Sequence, residues 1–158
     1  MARVLLAGTP ERLAPVAERL VADGFAVRCA VAGGGPVASG AQSVDASPDL
    51  PGGIVMALEG VAVVCWLLGD AAWSDPDLHD SKLETMLLRV VDTGVRGFVY
   101  ELPSGFAAAP ALASAGSKQV AHANETWHIP CEAISTEGFT DSQLAESVSA
   151  AVSRTLGI

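Results

Sequence analysis

Short apolar runs alternate with segments of helical periodicity along the whole chain, and this alternation constrains the fold more than any other feature. The run at 61–68 (VAVVCWLL) is the most hydrophobic and lies between Gly60 and Gly69. It is too short to cross a bilayer and has the length and β-branched content of a buried central strand. The predicted strands are residues 3–8, 25–32, 43–46, 61–68, 95–102 and 129–135. The alternation predicts an α/β fold with a doubly wound, mostly parallel sheet of five to six strands in a three-layer αβα arrangement.

The segments between the strands divide into helices and loops. The predicted helices are residues 11–23, 51–58, 78–93, 117–127 and 141–155. Asp141 is predicted to cap the last of them. Residues 103–116 are rich in small side chains and are interpreted as a loop or weak helix, and residues 33–43 as a loop rich in Gly, Ser and Pro. No stretch has the composition of a linker, so residues 1–158 are predicted to form a single domain.

Composition excludes several classes of partner. Nine basic residues against eighteen acidic ones give a net charge of −9, whereas nucleic-acid binding depends on clustered Lys and Arg. We therefore expect no nucleic-acid partner. We expect no membrane association either, because no apolar run is long enough and the first residues lack the features of a signal peptide. With half of its residues hydrophobic, the chain is predicted to form a homodimer through exposed helices.

The three cysteines bear on location and metal binding. Cys29, Cys65 and Cys131 each lie in a predicted strand, and their spacing fits no zinc pattern. They are interpreted as buried, reduced thiols that act as small hydrophobic side chains. This usage favours a cytoplasmic location, and no metal site is predicted from them.

The turn after the first strand has the form of a phosphate-binding turn, with Gly8, Thr9 and Pro10 leading into a helix. Free N–H groups at such a helix N-terminus suit a pyrophosphate. Only the first glycine of the usual three is present, because Glu11 and Ala14 stand where the others would be. Two interpretations stay open: a turn beneath a pyrophosphate, or an ordinary strand-to-helix turn whose free N–H groups are satisfied by the Glu11 carboxylate.

The order of motifs resembles the atypical and extended short-chain dehydrogenase/reductase superfamily, especially its NmrA-like members. The segments that carry the resemblance are 4–14 (VLLAGTPERLA), 20–28 (LVADGFAVR), 58–64 (LEGVAVV), 93–100 (TGVRGFVY) and Ser117-Lys118 followed by Pro130. The resemblance implies a Rossmann-like domain of the NAD(P)-binding type, with NADP or NAD as the cofactor.

Departures from that family concern the catalytic residues. The family places a proton-transferring tyrosine four residues before its lysine, where this chain has Ser114, a far weaker acid. Its catalytic serine would fall at Leu102 or Pro103, and Ser104 is out of phase. The resemblance therefore implies a degenerate, non-catalytic protein that acts by nucleotide sensing or protein association, and no catalytic residue is assigned.

The same resemblance assigns contacts to a nucleotide cofactor. Arg12 is placed near a phosphate, Arg28 near a 2′-phosphate, Asp45 near the adenine, Gly69 beneath a ribose or nicotinamide, and Lys118 on a ribose hydroxyl. A structural alternative stays open for each of these residues: a surface charge, the start of a turn or the end of a strand. The predicted cofactor-binding set is Gly8, Thr9, Pro10, Arg12, Arg28, Asp45, Gly69 and Lys118.

Two further functions stay open. One is an NAD(P)H-dependent reductase or epimerase that uses Lys118 with Ser114 or Tyr100. The other is a structural or assembly protein whose crevice is filled by its own side chains, including Glu11.

Other polar and aromatic residues have structural interpretations. The acidic group around His79 is assigned to helix caps in preference to a metal. The members of this group are Asp70, Asp75, Asp77, His79 and Asp80. Residues His122, Glu125 and His128 are interpreted as solvent-exposed. Trp66 is predicted in the core, and Trp73 in a loop over the ligand crevice, where it stacks on a base or enters an interface.

Overall fold

Six strands form one sheet in the computed structural model, which describes residues 2–70, 75–105 and 107–158. The sheet order is β3-β2-β1-β4-β5-β6, and every neighbouring pair is parallel. The strands are β1 (Arg3–Ala7), β2 (Ala26–Val31), β3 (Gln42–Asp45), β4 (Val63–Trp66), β5 (Gly97–Glu101) and β6 (Cys131–Ile134). The predicted parallel, doubly wound sheet is confirmed, with six strands.

Helices cover both faces of this sheet. They are α1 (Pro10–Ala22), α2 (Pro51–Ile54), α3 (Ser81–Val91), α4 (Ala109–Trp127) and α5 (Asp141–Leu156), with 3₁₀ turns at Val55–Leu58 and Pro76–His79. Alternate residues of β1 enter different cores: Val4 and Leu6 pack with α1 and α5, whereas Leu5 and Ala7 pack with the helices of the other face. The three-layer αβα arrangement is confirmed.

Helix boundaries differ from the sequence prediction in three places. α4 begins at Ala109, before the predicted start at residue 117; of the two interpretations of residues 103–116, a loop or a weak helix, the structure has a helix from Ala109 onward. Pro110 lies in the first turn, where proline is tolerated. The predicted helix 78–93 is divided at Asp80 into a 3₁₀ turn and α3. The cap of α5 is Thr140 rather than Asp141, because Thr140 and Gln143 exchange side-chain-to-backbone hydrogen bonds in a capping box.

The core prediction is confirmed for Trp66, Cys29 and Cys65, but not for Cys131, which is only half-buried. Trp66 is fully buried, and its Nε1–H donates to the Leu78 carbonyl at 2.9 Å. Cys29, Cys65 and Cys131 are free thiols on β2, β4 and β6, the first two buried. Burial raises the pKa of Cys29 and of Cys131 to about 11, and that of Cys65 still further, so all three stay protonated at neutral pH. Among the helices that the structure describes, none combines the length and apolarity needed to span a bilayer.

Candidate functional site

The strand order reverses at β1, which pairs with β2 on one side and with β4 on the other. In doubly wound sheets, ligands bind in the crevice above the carboxyl ends of the strands at this point. We call this region the carboxyl-edge crevice; Gly8 follows β1 there, and Gly69 lies shortly after β4. The predicted turn residues Gly8, Thr9 and Pro10 lie at the crevice, with Thr9 and Pro10 starting α1.

Close packing requires a glycine at position 8. A Cβ there would lie 2.8 Å from the Leu67 carbonyl oxygen and 3.0 Å from Leu13 Cδ2. The contact of α1 with the tips of β1 and β4 therefore accounts for Gly8 without any ligand. That the same turn also holds a pyrophosphate stays a prediction.

A buried carboxylate occupies the crevice. Glu101, the last residue of β5, is fully buried and accepts hydrogen bonds on both oxygens. The Gly69 N–H donates to Oε1 at 2.8 Å, and the Thr136 hydroxyl donates to Oε2 at 2.6 Å. Arg12 donates from Nε to Oε1 at 3.2 Å and from Nη2 to Oε2 in an ion pair. We call Arg12, Gly69, Glu101 and Thr136 the Glu101 cluster.

Arg12 reaches this cluster from the first turn of α1. Its burial lowers the pKa of the guanidinium, but the hydrogen bond and charge of Glu101 outweigh that effect and raise the pKa above its ordinary value. Arg12 therefore stays positively charged, and its donors are used within the protein: it pairs with Glu101 and donates to the Thr136 hydroxyl at 3.2 Å. A phosphate contact by Arg12 stays a prediction, and it would compete with this ion pair.

Gly69 holds the loops after β4 and β5 together. A Cβ at Gly69 would lie 2.3 Å from the Leu102 carbonyl oxygen and 2.7 Å from Glu101 Cγ. The Ser104 N–H donates to the Gly69 carbonyl at 2.7 Å. Little space is left between the two loops at this point, so Gly69 is required here for packing within the protein.

Asp70 adds a second carboxylate beside Arg12. Its Oδ1 is buried and has no hydrogen-bond partner within the described ranges. Burial raises the pKa of Asp70, partly opposed by the positive charge of Arg12. One arginine therefore faces two carboxylates, and the crevice has an excess of acceptors.

The residues of the crevice, in the arrangement described, do not fit the pyrophosphate of a dinucleotide. Such a group needs donors and positive charge, yet Arg12 is neutralised by Glu101 and Asp70 contributes a further carboxyl group. Glu11 is exposed and, in the described part of the chain, its side chain makes no hydrogen bond or ion pair. The acid that fills the crevice is thus Glu101, not Glu11.

Sequence reasoning missed Glu101 and Thr136. The available signal was the charge of Glu101 within residues 97–102, where the other side chains are uncharged. Thr136 gave no signal of its own, because it lies in the loop after β6 and meets Glu101 only through the parallel pairing of β5 with β6.

The remaining predicted site residues lie outside the Glu101 cluster. Arg28 donates from Nη1 to the carbonyls of Ala57 and Glu59, at 2.6 and 3.0 Å. Asp45 ends β3, and its Oδ1 accepts a 2.8 Å hydrogen bond from the Gly33 N–H. The predicted contacts of Arg28 with a 2′-phosphate and of Asp45 with an adenine stay predictions.

Lys118 lies on the outer side of α4. The helix buries Gly116 and Val120 against the sheet, whereas Lys118 between them is exposed. Ser114 is exposed on the same helix. A ribose contact by Lys118 would require a ligand on this outer surface.

Tyr100 and His79 form a buried pair beneath the crevice. A carbonyl only accepts, so His79 Nε2–H donates to the Leu68 carbonyl at 3.1 Å, and the Tyr100 hydroxyl donates to Nδ1 at 2.7 Å. Burial raises the pKa of Tyr100 well above its ordinary value. A Cβ at Gly116 would lie 2.1 Å from the Tyr100 hydroxyl oxygen, so α4 closes directly over this group.

Because His79 is buried, we expect the stability of the protein to depend on pH. Burial lowers the pKa of His79 below the ordinary 6.5. Below pH 6.5, this histidine is therefore more protonated in the unfolded chain than in the folded one. Stability is therefore highest above pH 6.5 and falls as the pH drops below it, by at most ~1.4 kcal/mol per pH unit for one group.

Urea unfolding of the wild type and of His79→Leu at pH 7.5 and 5.5 measures this effect by difference. The variant is expected to lose less stability than the wild type on acidification, whereas His122→Ala, at an exposed position, keeps the wild-type difference. Equal losses in the wild type and in His79→Leu would contradict the assignment of the effect to His79.

The acidic residues around His79 have structural roles. Asp75 accepts from the Asp77 N–H and pairs with Lys82 at 2.7 Å, and Asp80 accepts from Gln119. The described ranges contain no group of three or more side chains placed to hold a metal ion. Trp73, predicted over the crevice, lies outside the described residues.

No protein-family profile and no curated protein sequence matches the chain. Solved structures do match it. A UDP-glucose 4-epimerase from Brucella ovis in complex with NAD has a TM-score of 0.70 at 11% identity, over 85% of this chain and 51% of its own. The UDP-glucose 4-epimerase of Thermotoga maritima, with UDP-glucose, has a TM-score of 0.69 at 12% identity, over 83% and 54%.

A shorter neighbour matches over most of both chains. It is a C-terminal deletion mutant of the aldohexose dehydrogenase of Thermoplasma acidophilum, with a TM-score of 0.71 at 12% identity over 97% of this chain and 89% of its own. The chain spans about half the length of the epimerases that it matches. At these identities the likeness establishes the Rossmann-like fold.

Proposed function

We propose that this protein is a degenerate, NmrA-like relative of the short-chain dehydrogenases that acts by nucleotide sensing or protein association instead of hydride transfer. The observation that carries the proposal is the buried Glu101 carboxylate, which binds Arg12 in the carboxyl-edge crevice. The NAD complex of the Brucella ovis epimerase supports a nucleotide, NADP or NAD, as the ligand class.

The surroundings of the candidate proton donors favour a non-catalytic protein. A general acid must reach the proton position of its substrate, but the Tyr100 hydroxyl donates to His79 beneath α4. Ser114 and Lys118 are exposed on α4, a helix that presents its other side to the sheet. The described residues at the crevice thus supply the Arg12–Glu101 ion pair and no accessible phenol.

Nucleotide sensing follows from competition for Arg12. An anionic ligand at the N-terminus of α1 would have to take the guanidinium from Glu101, and binding would then rearrange four chain segments that meet in the cluster. A ligand shifts such an equilibrium only by its difference in affinity for the two arrangements. Weak binding coupled to a local rearrangement is the expected behaviour.

Calorimetric titration with NADP, NADPH, NAD and NADH tests the proposal. We expect the wild type to bind more weakly than ~1 mM. We expect Glu101→Gln, which keeps the side-chain shape and removes the competing charge, to bind at least ~10-fold more tightly, a gain of ~1.4 kcal/mol. Glu132→Gln, which neutralises the partner of Arg154 at an exposed ion pair, is the matched control and keeps the wild-type affinity.

Two results would contradict this function. Micromolar binding by the wild type, unchanged in Glu101→Gln, would mean that Arg12 and Glu101 do not control the site. Steady oxidation of NADPH, lost in Lys118→Ala with binding intact, would identify a reductase instead. Thermal unfolding of each variant is recorded first, so that a folding defect is not read as an effect on binding.

Association through exposed helices is part of the same proposal, with a homodimer as the expected state. Apolar side chains on the covering elements support it: Leu88 of α3 is 48% exposed and Met56 is 86% exposed. Sedimentation velocity distinguishes the dimer from a monomer. A single domain over residues 1–158 and a cytoplasmic location also remain proposals, the latter supported by the three free thiols.

A further inference from the structure

A second opening lies at the opposite edge of the sheet. Because all six strands are parallel, Arg3 at the start of β1 and Arg96 just before β5 lie at the amino ends of the strands, away from the Glu101 cluster. Both arginines line a hollow of about 290 Å³, together with Gly60, Gly94 and the backbone around Ala62. We call it the amino-edge hollow.

Two arginines line this hollow, neither with an acidic partner in the part of the chain that the structure describes. Arg3 and Arg96 make no side-chain hydrogen bond or ion pair within the described ranges, and no acidic residue lines the hollow. Elsewhere, Arg12, Arg19, Lys82 and Arg154 each pair with a carboxylate, whereas Arg89 and Lys118 are single exposed charges on helices without an ion pair among the described residues. Two unpaired guanidinium groups around one opening stand out in a chain of net charge −9.

A third arginine adds to the local positive charge. Burial and the nearby charge of Arg3 lower the pKa of Arg28, while the carboxylate of Glu59 acts in the opposite direction, so Arg3 and Arg28 are close enough for their charges to interact. Arg28 is itself held by the carbonyls of Ala57 and Glu59 and by Gln42. Arg28 therefore adds positive electrostatic potential at the hollow, whereas the N–H donors of Arg3 and Arg96 are available to a ligand.

Glycines keep the wall of the hollow open. Gly60 has φ +72°, and a Cβ there would lie 3.1 Å from Arg3 Nη1, so the guanidinium lies directly against the Gly60 backbone. Nothing lies within 4 Å of a Cβ built at Gly94. The backbone at Gly94 is open, whereas the Arg3 guanidinium itself covers Gly60, so a small ligand can approach Gly94 and the two arginines.

The chemistry of the lining selects the ligand. Arginine presents a planar fork of N–H donors that matches the oxygens of phosphate and carboxylate. Two such groups supply two positive charges, which balances a phosphate dianion better than a single carboxylate. We propose that the amino-edge hollow is a binding site for the phosphate group of a small molecule, held between Arg3 and Arg96. This site is independent of the nucleotide function proposed for the carboxyl-edge crevice.

Amide chemical shifts of the whole chain test this site. In ¹H–¹⁵N spectra at constant ionic strength, inorganic phosphate and methyl phosphate are expected to shift the Gly60, Gly94 and Arg96 amides saturably, with a dissociation constant of a few millimolar or below. The Gly69 and Thr136 amides, at the opposite edge, are expected to stay in place. Acetate serves as the carboxylate arm and is expected to bind at least fivefold more weakly.

Charge-removing variants assign the effect to these side chains. Arg96→Gln is expected to weaken phosphate binding at least fivefold, and Arg3→Gln likewise. Arg89→Gln removes an equal charge from an exposed arginine outside the hollow and is expected to leave binding unchanged. Linear shifts without saturation, equal binding of acetate, or equal weakening by Arg89→Gln would each overturn the proposal.

Discussion

Replacing Arg12 with methionine is expected to lower the free energy of unfolding by about 3 kcal/mol. The substitution keeps an unbranched apolar stem but removes the guanidinium, and so leaves the fully buried Glu101 carboxylate without its counter-ion. Removing one partner of a buried pair costs more than the pair contributes, because the remaining charge stays out of water. We place the loss at the lower end of the usual range because Gly69 and Thr136 still donate to Glu101.

The matched control breaks an exposed ion pair. Arg19 binds Asp23 at 2.9 Å on α1, with side chains that are 44% and 33% exposed, and Arg19→Met is expected to lose less than ~1 kcal/mol. Urea unfolding at pH 7.5 measures both variants. If the two variants lose similar amounts of unfolding free energy, Glu101 is not held as a buried charge. The interpretation that its carboxylate fills the crevice would then be wrong.

Alanine at position 69 is expected to cost ~3 kcal/mol or more, a large effect for one added methyl group. The new Cβ would lie 2.3 Å from the Leu102 carbonyl oxygen, and a backbone atom cannot rotate away as a flexible side chain would. Relief requires the loops after β4 and β5 to separate, which also breaks the hydrogen bond from Gly69 to Glu101. The cost thus combines steric strain with the loss of a donor to a buried carboxylate.

Gly53→Ala is the control for this prediction. Gly53 lies in α2, and nothing lies within 4 Å of a Cβ built there, so alanine is expected to be neutral or to stabilise by up to ~1 kcal/mol. Thermal and urea unfolding compare the two variants. A Gly69→Ala protein as stable as wild type would show that the loops are not in close contact.

Local pattern was enough to predict the sheet. Most strands are marked by apolar residues flanked by glycine or by a helical segment, as 61–68 is, and β3 (Gln42–Asp45), which is mostly polar, is the exception. The alternation of strands and helices favours the parallel topology. The helix that became α4 was predicted to start too late, at residue 117, also for a local reason. Pro110 usually indicates the end of a helix, although proline is tolerated in a first helical turn.

The residues that fill the crevice could not be predicted from local sequence pattern. Arg12 and Glu101 are 89 residues apart, and nothing near either residue indicates the other as its partner. Pairing of that kind depends on which strand tips the fold brings together, and on helix α1 crossing above them. The sequence therefore predicted the turn at Gly8 between β1 and α1 and singled out Arg12, but gave no indication of the carboxylate that binds Arg12.

The central position of β1 affects how the chain folds during synthesis. β1 precedes β4 along the chain, and yet these two strands form the seam that joins the β3-β2-β1 half of the sheet to the β4-β5-β6 half. Until the ribosome has released β4, one side of β1 presents unpaired backbone groups and bare apolar surface. The growing polypeptide therefore passes through a stage in which the open edge of its first half-sheet can associate with other chains.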